Sequence, residues 1–109
     1  VEDGTASAVA YAAPERMTEG TWNLLLIAVR EDRQGRGLGG ALTRHLERLL
    51  AGRGARVLLV ETSGLPAFER TRAVYRRLGY AEEARIREFY AAGDDKVVFW
   101  KRLRPSAAG

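Results

Sequence analysis

The sequence predicts an α/β (α+β) fold: one mixed β-sheet and two helices in the order β-β-α-β-α-β-β. Three observations carry this. Residues 38–50 and 67–78 repeat apolar side chains at steps of three and four, the period of a helix face. Residues 21–29 and 57–60 hold short apolar runs of strand length. The last thirty residues alternate in two stretches around a polar, glycine-bearing turn, which reads as a hairpin.

Each element has its own reason. Glu2, Asp3 and Gly4 carry turn chemistry, and residues 6–13 alternate around Val9 and Tyr11 as a first strand. A polar connection (PERMTEG, 14–20) leads to the second strand, 21–29 (TWNLLLIAV), whose apolar second half suggests cover on both faces. Residues 30–37 (REDRQGRG) are a charged loop. The first helix presents Leu38, Ala41, Leu42, His45, Leu46, Leu49 and Leu50 as one stripe, with His45 packed on it, and ends at Gly52 and Gly54. Residues 57–60 (VLLV) make a central strand. Thr62 and Ser63 offer capping hydroxyls, and Pro66 suits a first helical turn. The second helix carries Ala67, Thr71, Val74, Tyr75 and Leu78 and stops at Gly79. Strands over 82–90 and 96–103, joined by 91–95, close the fold, and 105–109 reads as a loose tail.

The chain has 109 residues and 12.0 kDa, one domain's worth. Without cysteine it has no disulfide framework, thiolate zinc site or cysteine nucleophile, and His45 is its only histidine. No apolar run approaches the roughly 18 residues of a membrane span, and neither end reads as a signal peptide. We expect a soluble, cytoplasmic protein with no membrane partner. The opening Val1-Glu2-Asp3-Gly4 has no initiator methionine, so we expect the chain to be the remainder of something longer. Charge is unevenly spread: residues 1–32 sum to −4, residues 33–79 to +7 and residues 80–109 to +1. A basic middle favours an anionic partner. The bases are sixteen Arg to two Lys, which base composition alone could produce, so motif placement has to decide.

The sharpest feature is Arg33-Gln34-Gly35-Arg36-Gly37-Leu38-Gly39-Gly40, set between an apolar strand and a helix. Glycines allow close backbone approach, and the first amides of a helix lack internal acceptors at the positive end of its dipole. That combination suits a pyrophosphate, with Arg33 and Arg36 as countercharge. A nucleotide-triphosphate loop would need Gly-Lys-Ser/Thr, but Gly40 is followed by Ala41 and Leu42. The spacing Gly35-x-Gly37-x-x-Gly40, with Glu61 at a strand end 21 residues on, does match a dinucleotide fingerprint. Against it, five residues separate Val29 from Gly35, and the chain ends in a hairpin instead of further parallel units. A nucleic-acid module is weakened because only Phe68 and Tyr75 are aromatic within residues 33–79.

The run Gln34-Gly35-Arg36-Gly37-Leu38-Gly39 also fits Gln/Arg-x-x-Gly-x-Gly/Ala, and Val74-Tyr75-Arg76-Arg77-Leu78-Gly79-Tyr80 fits an aromatic or aliphatic-Tyr-x-x-x-Gly-aromatic pattern. In that order, with a strand between and a hairpin after, the chain resembles the GNAT superfamily of N-acetyltransferases over residues 5–103. The resemblance implies a sheet with a central splayed strand pair and acetyl-CoA as co-substrate. It implies that amides of Arg33, Gln34, Gly35, Arg36, Gly37, Leu38, Gly39 and Gly40 hold the pyrophosphate, and that the backbone of Ile27, Ala28 and Val29 pairs with the pantetheine arm. Tyr75 aligns with the tyrosine that protonates the departing thiolate, although a core aromatic on a helical stripe reads the same way. A phenol (pKa about 10) can deliver a proton to a thiolate whose acid has pKa about 8.5. The base is open. The 21–29 strand holds no acid, leaving Glu61 as base or as helix cap, with Glu19 behind it.

Two departures from the family pattern stand out. Phe68 occupies a position where an asparagine is frequent, and the strand and helices that usually open the fold have no counterpart before Val1. We therefore expect one GNAT-like acyl-CoA-binding domain over 1–109, incomplete at its N-terminus. The resemblance leaves the acceptor to that missing wall and to hairpin side chains such as Phe89, Tyr90 and Trp100. An exposed sheet edge near 6–13 leads us to expect a homodimer or domain exchange. The function expected is acetyl transfer to a primary amine, with a silent acyl-CoA-binding domain as the rival from another class.

Overall fold

The computed structural model describes residues 8–29 and 37–104, and they form the expected succession of strands and helices. β1 (Ala8–Pro14) and β2 (Thr21–Val29) pair antiparallel, and α1 (Leu38–Gly52) leads into β3 (Val57–Ser63). A 3-10 turn (Pro66–Phe68) with Pro66 in its first positions opens α2 (Glu69–Arg77), and β4 (Ala81–Ala91) and β5 (Asp94–Arg102) form the closing hairpin. The sheet runs β1-β2-β3-β5-β4, and of its pairings only β2–β3 is parallel. A dinucleotide-binding unit needs more parallel βα repeats than this, so that rival falls.

Boundaries moved where side chains found tertiary partners. β3 runs on to Ser63, whose hydroxyl accepts the Leu65 N–H (3.1 Å) and bonds the Asp94 carboxylate instead of capping a helix. Asp94 and Asp95 read as turn residues, yet they begin β5. Asp94 is held by Ser63, and Asp95 by Arg85 (3.0 Å) and the Glu88 N–H (2.9 Å). The hairpin turn is therefore only Ala92 and Gly93, with Ala91 paired to Asp94.

Both helices lie on one face of the sheet. Leu46, Leu50 and Ala51 of α1 meet Val74, Tyr75 and Leu78 in a single cluster with Leu24, Leu58, Val60, Val97 and Phe99. By strand alternation the opposite face carries Val9, Tyr11, Leu59, Trp100 and Ile86, and Tyr11 is 59% exposed. The expectation that β2 is covered on both faces fails accordingly: Leu25 is 56% exposed.

The stripe on α1 is also rotated from its expected position. His45 is exposed and does not pack, whereas Thr43 is buried and Glu47 half-buried. Thr43 tolerates burial because its hydroxyl donates to the Gly39 carbonyl (2.7 Å). Glu47 accepts the Tyr80 hydroxyl (2.7 Å) and Lys101 Nζ (3.0 Å), while Lys101 also donates to the Leu78 carbonyl (2.7 Å). This network ties α1, the end of α2 and β5 together.

The parallel pair stays together for four rungs only, Thr21↔Val57 to Leu24↔Val60. At that point Leu25 is an extra residue against β1, where Ala12 opposes Leu24 and Tyr11 opposes Leu26. Such a bulge bends its strand. Beyond it β2 stays with β1 and β3 stays with β5, so a V opens between them.

Candidate active site

The V forms a crevice of about 290 Å³ lined by Leu24, Leu25, Val60, Glu61, Thr62, Phe68, Thr71 and Tyr75. The structure thus brings together Tyr75 and Glu61, the two side chains singled out for chemistry. Tyr75 reaches the crevice from the helical face, its ring fixed by Tyr80 (5.7 Å between centroids, edge-on) and Phe99 (5.9 Å). Its hydroxyl has no hydrogen-bond partner among the described residues, and burial pushes its pKa above the ordinary phenol value.

Glu61 belongs to the opposite face of β3 and caps no helix. Its Oε1 pairs with Lys96 Nζ (3.0 Å) and its Oε2 accepts Asn23 Nδ2 (3.0 Å). Lys96 also lies over the Phe89 ring, 4.0 Å from its centroid, and Phe89 packs edge-on to Tyr90 (5.1 Å). Tyr90 has its pKa raised by burial, then by the Glu61 charge, against the lowering effect of Lys96. Just before these aromatics, Glu88 has φ 53 at an irregularity in the β4–β5 register.

Sequence reasoning missed Asn23 and Lys96. The signal for Asn23 was present: it is the one polar side chain in an otherwise apolar run, 22–29, and it is only 4% exposed. Lys96 has no such mark, since its role depends on the β3–β5 register. Glu19, the weaker candidate for the base, is exposed on the β1–β2 turn.

The cofactor-side residues divide. Arg33, Gln34, Gly35 and Arg36 lie outside the described residues. Gly37 precedes α1 with φ 75, a left-handed conformation that favours glycine, and its carbonyl accepts the Ala41 N–H (3.0 Å). Leu38, Gly39 and Gly40 form the first turn of α1, which has no side-chain cap and no acidic residue. The first amides of this fifteen-residue helix therefore have no side-chain acceptor among the described residues. The backbone of Ile27, Ala28 and Val29 pairs with β1 and, past the bulge, has no β3 partner among the described residues. Some arginines of the basic middle are already committed: Arg72 is buried and donates to the carbonyls of Ser63 (2.6 Å) and Leu65 (3.0 Å), and Arg76 pairs with Glu69 and Glu82.

An opened parallel pair beside a glycine-led helix is the arrangement that the resemblance to the GNAT superfamily implied. The family model described as "Acetyltransferase (GNAT) domain" matches residues 1–82. The chain therefore belongs to the GNAT acetyltransferase family. A GNAT-family protein from Desulfovibrio desulfuricans is 39% identical with a TM-score of 0.91, over 94% of this chain and 65% of that one. The ribosomal-protein-S18-alanine N-acetyltransferase of Escherichia coli is 26% identical with a TM-score of 0.82, over 98% of this chain and 68% of that one. A Bacillus subtilis acetyltransferase solved in complex with CoA shares the fold at 18% identity and a TM-score of 0.82, over 93% of this chain and 72% of that one. No curated protein sequence matches the chain.

Proposed function

We propose that the protein transfers an acetyl group from acetyl-CoA to a primary amine. The observation that carries this reading is the V between β2 and β3, with Tyr75 entering from one face and Glu61 from the other. In this reading the amides of 33–40 receive the pyrophosphate, and the backbone of Ile27, Ala28 and Val29 pairs with the pantetheine arm. The thioester then lies in the crevice near Tyr75, and the amine approaches from the Glu61 side. An N–H near Val29 stabilises the charge that develops on the carbonyl oxygen.

The amine nitrogen attacks the acetyl carbon while the carbon–sulfur bond breaks. The sulfur takes its proton from Tyr75, and the proton lost by the nitrogen passes to Glu61, directly or through water. Burial raises the Tyr75 pKa, so the phenol carries its proton at neutral pH. Dependence on acetyl-CoA suits a cytoplasmic enzyme. The relatives named for acetyl transfer, including one bound to CoA, support the donor class.

The test is thiol release from acetyl-CoA across a panel of amines. We expect Tyr75→Phe to lower kcat about a hundredfold, the low end for general acid catalysis, with acetyl-CoA affinity nearly unchanged. Equal loss of turnover and affinity would make Tyr75 structural. Binding of acetyl-CoA with no release for any amine would favour a silent acyl-CoA-binding domain.

A further inference from the structure

The closing hairpin carries an irregularity larger than an ordinary bulge. Between the rungs Ile86↔Lys96 and Ala91↔Asp94, the four residues 87–90 of β4 stand against a single residue of β5, Asp95. Most bulges insert one extra residue, and they recur where a strand re-aims a side chain beside a site. This one holds Glu88 at φ 53, in a region that a glutamate disfavours, followed directly by Phe89 and Tyr90.

A conformation of this kind persists only where its surroundings fix it. Here the bulged amide is taken by a side chain: Asp95 Oδ1 accepts the Glu88 N–H (2.9 Å), while Asp95 Oδ2 accepts Arg85 Nη1 (3.0 Å). The Phe89 ring next in sequence lies 4.0 Å from Lys96 Nζ, and that Nζ stands 3.0 Å from Glu61 Oε1. Lys96 is thus held by a ring and by a carboxylate. Its side chain is only 13% exposed, which strengthens a contact between a cation and a ring.

We infer that Asp95 is a positioning residue for the acyl transfer. Its bond to the Glu88 N–H fixes the bulge, the bulge fixes the Phe89 ring against Lys96, and Lys96 in turn orients the Glu61 carboxylate. This rests on the acyl-transfer reading for the role of Glu61, whereas the placement of Lys96 can be measured without turnover.

The test joins kinetics to a nuclear magnetic resonance signal. The chain has two lysines, Lys96 and Lys101, so isotope-labelled lysine gives a readable pair, and the ring current of Phe89 displaces the Lys96 signal. In Asp95→Ala that signal should return to the position of an exposed lysine. Thiol release should show kcat/KM for the amine lowered on the order of tenfold, the low end for losing a charge-assisted hydrogen bond, with acetyl-CoA affinity unchanged. Asp95→Asn still accepts the Glu88 N–H and should restore most of both readouts, although it loses Arg85. Phe89→Leu, at a half-exposed position, should reproduce the kinetic loss with Asp95 intact, and decides the matter even where Asp95→Ala fails to fold. A Lys96 signal still displaced in folded Asp95→Ala, an Asp95→Asn as impaired as Asp95→Ala, or unchanged amine kinetics in Phe89→Leu would overturn the inference. A parallel loss of acetyl-CoA affinity in Asp95→Ala would overturn it too, as a merely structural role predicts. Absence of thiol release from the unaltered protein with every amine would instead remove the transferase reading, and the Lys96 signal would still decide whether Asp95 holds the bulge.

Discussion

Tyr75 and Tyr80 are neighbouring buried phenols with different uses. Tyr80 spends its proton on Glu47, and burial together with that carboxylate pushes its pKa far above the ordinary value of about 10. Tyr75 has its pKa raised by burial alone. In both cases the folded state holds the proton more tightly than the unfolded chain. Their contribution to stability is therefore complete below pH about 10 and is lost as pH rises beyond it. We expect the urea midpoint to be steady from pH 8 to about 10 and to fall at higher pH, with Tyr80→Phe flattening the fall. A midpoint that keeps its value at pH 11 would contradict this placement of Tyr80. Residue identity alone made Tyr75 legible through its motif. The partners of Glu61 were not legible, because Asn23 and Lys96 reach it from β2 and β5.

Among the elements, the β1–β2 turn illustrates how a connection can be structural. Gly20 has φ 80, and its carbonyl accepts the N–H groups of Arg56 (2.6 Å) and Val57 (3.1 Å), anchoring the start of β3. A Cβ there would stand 3.0 Å from the Gly54 carbonyl oxygen and 3.1 Å from the Arg56 nitrogen, both backbone atoms that cannot swing aside. Gly20→Ala should cost about 1–3 kcal/mol in urea unfolding, and a loss below 0.5 kcal/mol would show that the turn relaxes freely. Element types and order were readable because helix and strand periods differ. The face of α1 was misread because Thr43 and Glu47 point inward with their polarity satisfied, a condition set by Gly39, Tyr80 and Lys101. The bulge at Leu25 could not be seen from the residues themselves, since it falls in the uniform run LLLIAV. Its position depends on register with β1.

At the scale of the molecule, the shortest dimension is 23 Å, close to the roughly 20 Å of one sheet and one helical layer. The chain spans 65% of the Desulfovibrio relative, and on the sheet face opposite the helices Tyr11 and Ile86 are 59% and 46% exposed. An apolar surface of this kind marks a place for contact. The native protein should therefore bind an apolar dye such as anilinonaphthalene sulfonate. Tyr11→Lys combined with Ile86→Lys should lower that fluorescence while shifting unfolding by no more than about 1 kcal/mol, as surface substitutions do. Fluorescence unchanged by both lysines would mean that the dye reports some other surface.

The brief pairing of β2 with β3 has one more effect. An ordinary open sheet has two free rims, both at its outer limits, where any extended chain can dock. Here a third rim lies inside the sheet, along the run of β2 beyond Leu24, and it faces a wedge that narrows to nothing at the Leu24–Val60 rung. A full polypeptide strand needs about 4.8 Å on either side, which the closing end of a wedge cannot offer along its length. A slender thread bearing a few amides could enter, since it needs neither side chains nor a constant gap. The shape that breaks the sheet thus also screens what may mend it.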